Sequence, residues 1–148
     1  MDLEKAYDKI YRYAYFRVKN VTVAEDITQE TFLRFFGKNG NFHENDMKYL
    51  YTIARNLCID EYRRVKPDEP LEEDAENVPS VDFPEESIIV RDALEKLSDE
   101  DREILLLRYV NEEPVGTICR ALGISRFALY RKIKNAGEEL KKNLKEDE

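Results

Sequence analysis

The sequence predicts an all-α protein of two small helical domains, joined by an acidic, proline-containing linker, with a helix-turn-helix in the second. Three observations carry that prediction. Apolar residues recur at three- and four-residue steps on both sides of a polar middle, as in helices that bury one face. Gly and Pro number only five each in 148 residues, too few for the frequent turns of an all-β chain. Four of the five prolines, Pro67, Pro70, Pro79 and Pro84, crowd into one acidic stretch between the two periodic regions. The expected boundaries are 1–65, 66–86 and 87–148.

The first helix is expected from about Leu3 to Val18, with Ala6, Tyr7, Ile10, Ala14 and Val18 inward and Lys5, Asp8, Lys9, Arg12 and Arg17 mostly outward. A second begins at Thr22 and Glu25, read as a Thr-x-x-Glu capping box, and runs to about Phe36, where Gly37 and Gly40 end it. A polar stretch, Asn41 to Asp46, follows. The third helix spans about Met47 to Val65 on an apolar stripe of Leu50, Ile53, Ala54, Leu57 and Cys58.

Residues 66–86 hold one Lys against nine acids and almost nothing that could build a core, so they read as a tether extended by proline and self-repulsion. Fully stretched, such a tether reaches at most about 70 Å, roughly two turns of B-DNA. Beyond it, Ile88, Ile89, Ala93, Leu94 and Leu97 make a short helix starting near Ser87. Ser98 caps the next one, with Asp99, Glu100 and Asp101 in its positively polarised first turn. That helix carries Ile104, Leu105, Leu107 and Arg108 to about Tyr109. Pro114 fits a first helical turn; Ile118, Cys119 and Leu122 follow, then Gly123-Ile124-Ser125, and a last helix from Arg126 onward.

The formal charge of -8 argues against a chain that coats nucleic acid indiscriminately. Its distribution says more than its sum. Residues 1–65 hold 11 Lys+Arg against 10 Asp+Glu, and 87–148 hold 12 against 13, so the acidity belongs to the middle. His43 is the single histidine, and Cys58 and Cys119 form no CxxC pair, so no metal site, no cofactor and no catalytic residue is expected. There is no apolar run near 18 residues and no charged-then-apolar leader. A cytoplasmic protein with reduced thiols and no membrane insertion is expected.

The clearest local signal is PVGTICRALGISRFALYRKIK, Pro114 to Lys134. A short helix ends at Gly123, Ile124 plugs the gap, and Ser125 caps a second helix anchored by Leu129 and Ile133, which is a helix-turn-helix. The second helix offers Arg126, Phe127, Tyr130, Arg131 and Lys134, and no acid occurs from Ser125 through Gly137. Arg can fork onto guanine in a major groove, and Lys or Arg can neutralise phosphates. A helical hairpin with a solvated basic face is the plain alternative.

Residues Ala93–Leu140 resemble the C-terminal promoter-reading domain of extracytoplasmic-function sigma factors, the small specificity subunits of bacterial RNA polymerase. LSDEDREILLLRYV is similar to that domain's opening helix, and LGISRFALYRKIKNAGEEL to its recognition helix and tail. The N-terminal region resembles the same family independently. AEDITQETFLRFF looks like the helix that docks on the polymerase clamp, and YLYTIARNLCIDEYRR like the helix that engages the promoter −10 element.

The resemblance implies clamp contacts by Asp26, Gln29, Glu30 and Arg34, with Phe32 or Phe36 as an aromatic anchor. It implies −10 contacts by Tyr49, Tyr51, Arg55, Asn56, Tyr62, Arg63 and Arg64, since aromatic rings interleaved with Arg suit opened DNA. Phe42, His43 and Asn45 occupy the loop where the family captures an unstacked base, though a solvated loop is the alternative there. It implies −35 contacts by Thr117, Ser125, Arg126, Phe127, Tyr130, Arg131 and Lys134.

The expected partners are core RNA polymerase, promoter DNA and an anti-sigma protein. The linker would thread the RNA path of the polymerase, or serve as a plain tether. The sequence departs from the family at several places. Tyr49 stands where relatives carry Trp, Thr117 and Cys119 replace a common Glu and Ala, and Gly116 lies inside a helix that it should weaken by about 0.5–1 kcal/mol. Phe127 and Tyr130 make the recognition helix unusually aromatic. A stand-alone helix-turn-helix regulator or a sigma-like accessory subunit is the alternative reading, and the first of these leaves DITQETF and the acidic linker without a purpose.

Overall fold

The computed structural model describes residues 2–65 and 92–146. The expected linker, 66–86, and the expected start of a helix at Ser87 to Ile89 lie outside them. All regular structure among the described residues is helical. The chain falls into two compact units, and each is taken by itself.

The first unit holds α1 (Leu3–Val18), α2 (Val21–Lys38) and α3 (Met47–Val65), each packed on the other two. Small residues let the helices approach: Ala6 and Ala14 of α1, Ala24 of α2 and Ala54 of α3 are fully buried, beside Ile10, Phe35 and Leu50. In the same core Tyr13 and Tyr51 meet edge to face, ring centroids 5.6 Å apart at 84°. Two polar side chains join the core at little cost. The Thr28 and Thr31 hydroxyls donate to the carbonyls of Ala24 and Ile27, each at 2.7 Å, so neither is buried without a partner.

The helix ends differ from the sequence expectation in two places. α2 starts at Val21, one residue before Thr22, and its cap is Asn20, whose side chain accepts from the Val23 N–H at 3.0 Å. Lys19 takes a left-handed conformation (φ 54) that ends α1, and Asn20 leaves it extended, as an N-cap requires. Thr22 is therefore already helical, and the Thr-x-x-Glu box is not the cap. At its other end α2 runs on through Gly37 to Lys38, because Gly37 does not adopt a positive φ. The stop comes at Asn39, whose backbone and side-chain N–H groups both donate to the Phe35 carbonyl, at 2.8 and 3.1 Å.

In the second unit, residues 92–95 are helical and lead through Leu97 into α4 (Asp99–Leu105), with Ser98 capping at the Asp101 N–H, 3.2 Å away. α4 continues as a π-helical turn, Leu106–Val110, closed by the Asn111 N–H donating to the Leu106 carbonyl at 2.9 Å. Arg108 ties the following bend by donating to the Glu113 carbonyl at 3.1 Å. Pro114 then sits at the N-cap of α5 (Val115–Leu122), one position before the helix begins. The last helix, α6 (Arg126–Glu146), packs on α4 through Leu97, Leu105 and Ala136, with Leu94 and Leu140 against them. Near the far end of α6, Asn143 donates to the Ala93 carbonyl at 3.1 Å.

Cys58 is buried and Cys119 half-buried, both as free thiols. No helix among the described residues is long and apolar enough to cross a membrane.

Candidate nucleic-acid interface

The turn between α5 and α6 is built on one residue in the left-handed conformation that favours glycine. Gly123 lies at φ 67, and its N–H and that of Ile124 both donate to the Cys119 carbonyl, at 2.8 and 3.1 Å. Ser125 then restarts the chain as a helix, its hydroxyl accepting from the Ala128 N–H at 3.1 Å. Its oxygen serves as a cap, which leaves the Ser125 hydroxyl as an O–H donor for a phosphate.

Burial of Leu129 and Ala136 sets the inner side of α6. At about 100° per residue, Phe127, Tyr130, Arg131 and Lys134 share the opposite side, and all four are exposed. Phe127 is 77% and Tyr130 56% exposed, so neither ring packs into the core. The Arg131 guanidinium carbon stands 5.7 Å from the centre of the Phe127 ring. Arg126 takes a different course: a Cβ placed on Gly116 would come within 3.3 Å of its Nη2. The glycine inside α5 thus makes room for that guanidinium. Thr117 is half-buried on the same helix. Lys132, also on α6, bonds to Glu100 of α4, so its charge is matched within the unit.

On α3, Tyr49, Asn56 and Arg63 fall on one exposed side, with Tyr62 exposed nearby and Arg55 half-buried. The Lys48 ammonium lies 5.2 Å from the Tyr49 ring centre, giving that tyrosine a cationic neighbour. Arg64 is drawn away, donating to Glu61 at 2.6 and 3.1 Å, and the carboxylate raises its pKa. His43 and Asn45 are exposed at a single 3-10 turn, Glu44–Asp46, where Asp46 accepts from the His43 N–H at 2.8 Å. Phe42 leans on Phe35, centroids 6.2 Å apart.

Two expected contact residues are core residues instead. Tyr51 is only 1% exposed and meets Tyr13 edge to face, so no base can reach its ring while the unit is folded. On a helix the inward arc is wide, and Tyr51 lies within it beside Met47 and Ala54. Phe32 is 8% exposed and packs against Tyr7 and Phe36, at 5.5 and 6.4 Å between ring centroids.

The outer face of α2 carries Asp26 and Gln29, exposed, and Glu30, whose carboxylate pairs with Arg34 at 2.9 Å. Leu33 continues that stripe at 69% exposure, and Phe36 is partly exposed at its edge. The sequence reading missed Leu33. Its signal was spacing, since positions 26, 29, 30 and 33 line one helix face. Between α2 and α3 runs an open groove of about 340 Å³, apolar at Ile27 and Leu57 and acidic at Asp26, Glu30, Asp60 and Glu61.

A helix-turn-helix whose second helix exposes cations and aromatic rings, and no acid, over its first three turns defines a DNA-binding protein of transcription. Comparison with known proteins makes the class specific. Residues 3–67 match the Sigma-70 region 2 family and residues 87–139 the Sigma-70 region 4 family. The chain is 30% identical to the ECF RNA polymerase sigma factor SigW of Bacillus subtilis, over 94% of this chain and 84% of that protein. It is 29% identical to the RNA polymerase sigma factor YlaC of the same organism, over 93% and 87%. Two solved structures share the fold: the sigma factor RpoE of Bartonella quintana with its anti-sigma factor NepR, and CnrH with the cytosolic domain of CnrY. The first has a TM-score of 0.69 at 21% identity over 99% of this chain and 96% of that one. The second has a TM-score of 0.65 at 21% identity over 95% and 82%.

The chain belongs to the extracytoplasmic-function sigma factors of RNA polymerase. It binds core RNA polymerase and directs promoter-specific initiation of transcription, and it is not an enzyme.

Proposed function

We propose that the two helical units divide the promoter between them. Residues 1–65 dock on the polymerase clamp through α2 and engage the −10 element through α3. Residues 87–148 read the −35 element through α6, and 66–86 tether the two. The observation that carries this reading is the acid-free outer face of α6, where Phe127, Tyr130, Arg131 and Lys134 project together with Arg126 beside them. Thr117 and Ser125 flank that face as phosphate-side contacts.

At the clamp, Asp26, Gln29 and Leu33 form the contact stripe, with Glu30 and Arg34 as a charged border. Phe32 supports the stripe from beneath through its packing on Tyr7 and Phe36. At the −10 element the contact set is Tyr49, Asn56, Tyr62 and Arg63, with Arg55 at its edge and His43 and Asn45 on the preceding turn. Tyr51 acts only by holding α3 in place. The protein works in the cytoplasm, and an anti-sigma protein is its inhibitory partner. The complex of the structurally similar sigma factor RpoE with the anti-sigma factor NepR supports that partner.

The test uses holoenzyme reconstituted from this chain and core polymerase, scored on promoters randomised in the −35 element. Arg126→Ala or Arg131→Ala should relax the preference at one base pair by about 1–3 kcal/mol. Lys134→Ala should weaken all sequences alike and reduce the log-log salt slope by about 1. Unchanged base preference and unchanged salt slope across the three variants would refute the assignment of α6 to the −35 element.

A further inference from the structure

We propose that Phe127 and Arg131 work as one unit that reads a thymine next to a guanine in the −35 element. The inference rests on the placement of α6 in the major groove proposed above, and it names the step that this helix selects.

The fold does not need the Phe127 ring to build its core. Phe127 is 77% exposed, the most exposed of the large apolar side chains among the described residues, and lies on the acid-free face. Its neighbour one turn on, Arg131, holds its guanidinium 5.7 Å from the ring centre, inside the range of about 6 Å where a cation is attracted to an aromatic face. Arg126 rests against Gly116 of α5 instead, so Arg131 is the arginine that the ring pre-orients.

A guanidinium that forks onto guanine O6 and N7 lies nearly in the plane of that base. Anything stacked on the face of the guanidinium must therefore sit near the level of the adjacent base pair, about 3.4 Å along the axis. With 77% of the side chain exposed and the charge 5.7 Å from its centre, the ring is only partly covered by the guanidinium. Much of its surface thus remains open toward that neighbouring pair. The one apolar group that a base pair presents in the major groove is the C5-methyl of thymine, and Phe is among the side chains that meet it. The ring therefore has two tasks, restricting the rotamers of Arg131 before binding and covering a thymine methyl after it.

The experiment uses holoenzyme on promoters that carry the preferred −35 step with single-atom changes. Replacing the thymine by deoxyuridine removes only the methyl group, which should weaken wild-type binding about fourfold and leave Phe127→Ala unaffected. Replacing the guanine by 7-deazaguanine removes the N7 acceptor and should cost wild type at least about fivefold, with no effect on Arg131→Ala. Phe127→Leu should keep the thymine effect but lower the guanine effect, because a leucine covers the methyl without holding the cation. If Phe127→Ala loses as much as wild type on deoxyuridine, the paired reading is overturned. It is equally overturned if wild type ignores both base changes while Lys134→Ala still weakens every promoter. In that case α6 remains a DNA-contacting helix. Should Lys134→Ala and Arg131→Ala also behave as wild type, the placement of α6 in the groove fails with it.

Discussion

Tyr49 and Tyr51 stand two residues apart on α3, and replacing each by alanine should separate a core role from a DNA role. Tyr51 is 1% exposed and Tyr49 50%. Truncating a buried aromatic side chain costs about 3–5 kcal/mol, of which the edge-on contact with Tyr13 accounts for about 0.5–1.5 kcal/mol. A unit the size of residues 2–65, at about 0.05–0.15 kcal/mol per residue, holds in total only about 3–10 kcal/mol. Tyr51→Ala should therefore leave the first unit marginal or unfolded. Tyr49→Ala should stay within about 0.5 kcal/mol of wild type and lose promoter opening instead. Urea unfolding of the full chain, followed by circular dichroism, measures both, since the chain has no tryptophan to report by fluorescence. A Tyr13→Ala, Tyr51→Ala double-mutant cycle would isolate the ring-ring coupling, or, if the unfolded fraction is too large, Tyr13→Leu and Tyr51→Leu would serve. A Tyr51→Ala protein as stable as wild type but defective at the −10 element would refute the assignment of Tyr51 to the core.

Three further outcomes are expected. Asn20→Ala should destabilise the first unit by about 1 kcal/mol, whereas Thr22→Ala should change it little; thermal unfolding of the two variants decides which residue caps α2. Gly116→Ala should gain helix propensity in α5 yet displace Arg126, whose Nη2 would stand 3.3 Å from the new methyl. The variant should be no less stable than wild type but altered in −35 preference, read on the randomised promoters. Leu33→Ala should leave the fold intact and weaken binding to core polymerase, while Phe32→Ala should lower stability by about 3–5 kcal/mol; polymerase affinity beside circular dichroism distinguishes the two.

The elements themselves were legible from local rules. The 3.6-residue period placed α1 and α3 nearly to the residue and α6 at its start, and Ser98 and Ser125 announced their caps, because these features depend on groups within one helical turn. The helix-turn-helix was legible in the same way, since its glycine sits where a left-handed residue at φ 67 favours one. Local rules failed where two local answers competed. Asn20 and Thr22 are both acceptable caps, and the choice fell to the two-residue connection between α1 and α2, which delivers Asn20 extended.

The sequence by itself therefore determined the helical class, the family, the acid-free face of the last helix and its exposed aromatic rings. Periodicity and charge are enough for the helical class and for that face, since they concern one helix and the solvent, whereas the family showed in the resemblance of motifs in both regions. Only the tertiary structure decided which side of a wide amphipathic arc is buried. It turned Tyr51 onto Tyr13 and Phe32 onto Tyr7, and left Leu33 facing out. It also set Arg126 against Gly116 of the preceding helix and Lys132 against Glu100 of α4. Which cations remain for DNA depends on such neighbours from other helices, and no single-helix pattern records what the next helix brings.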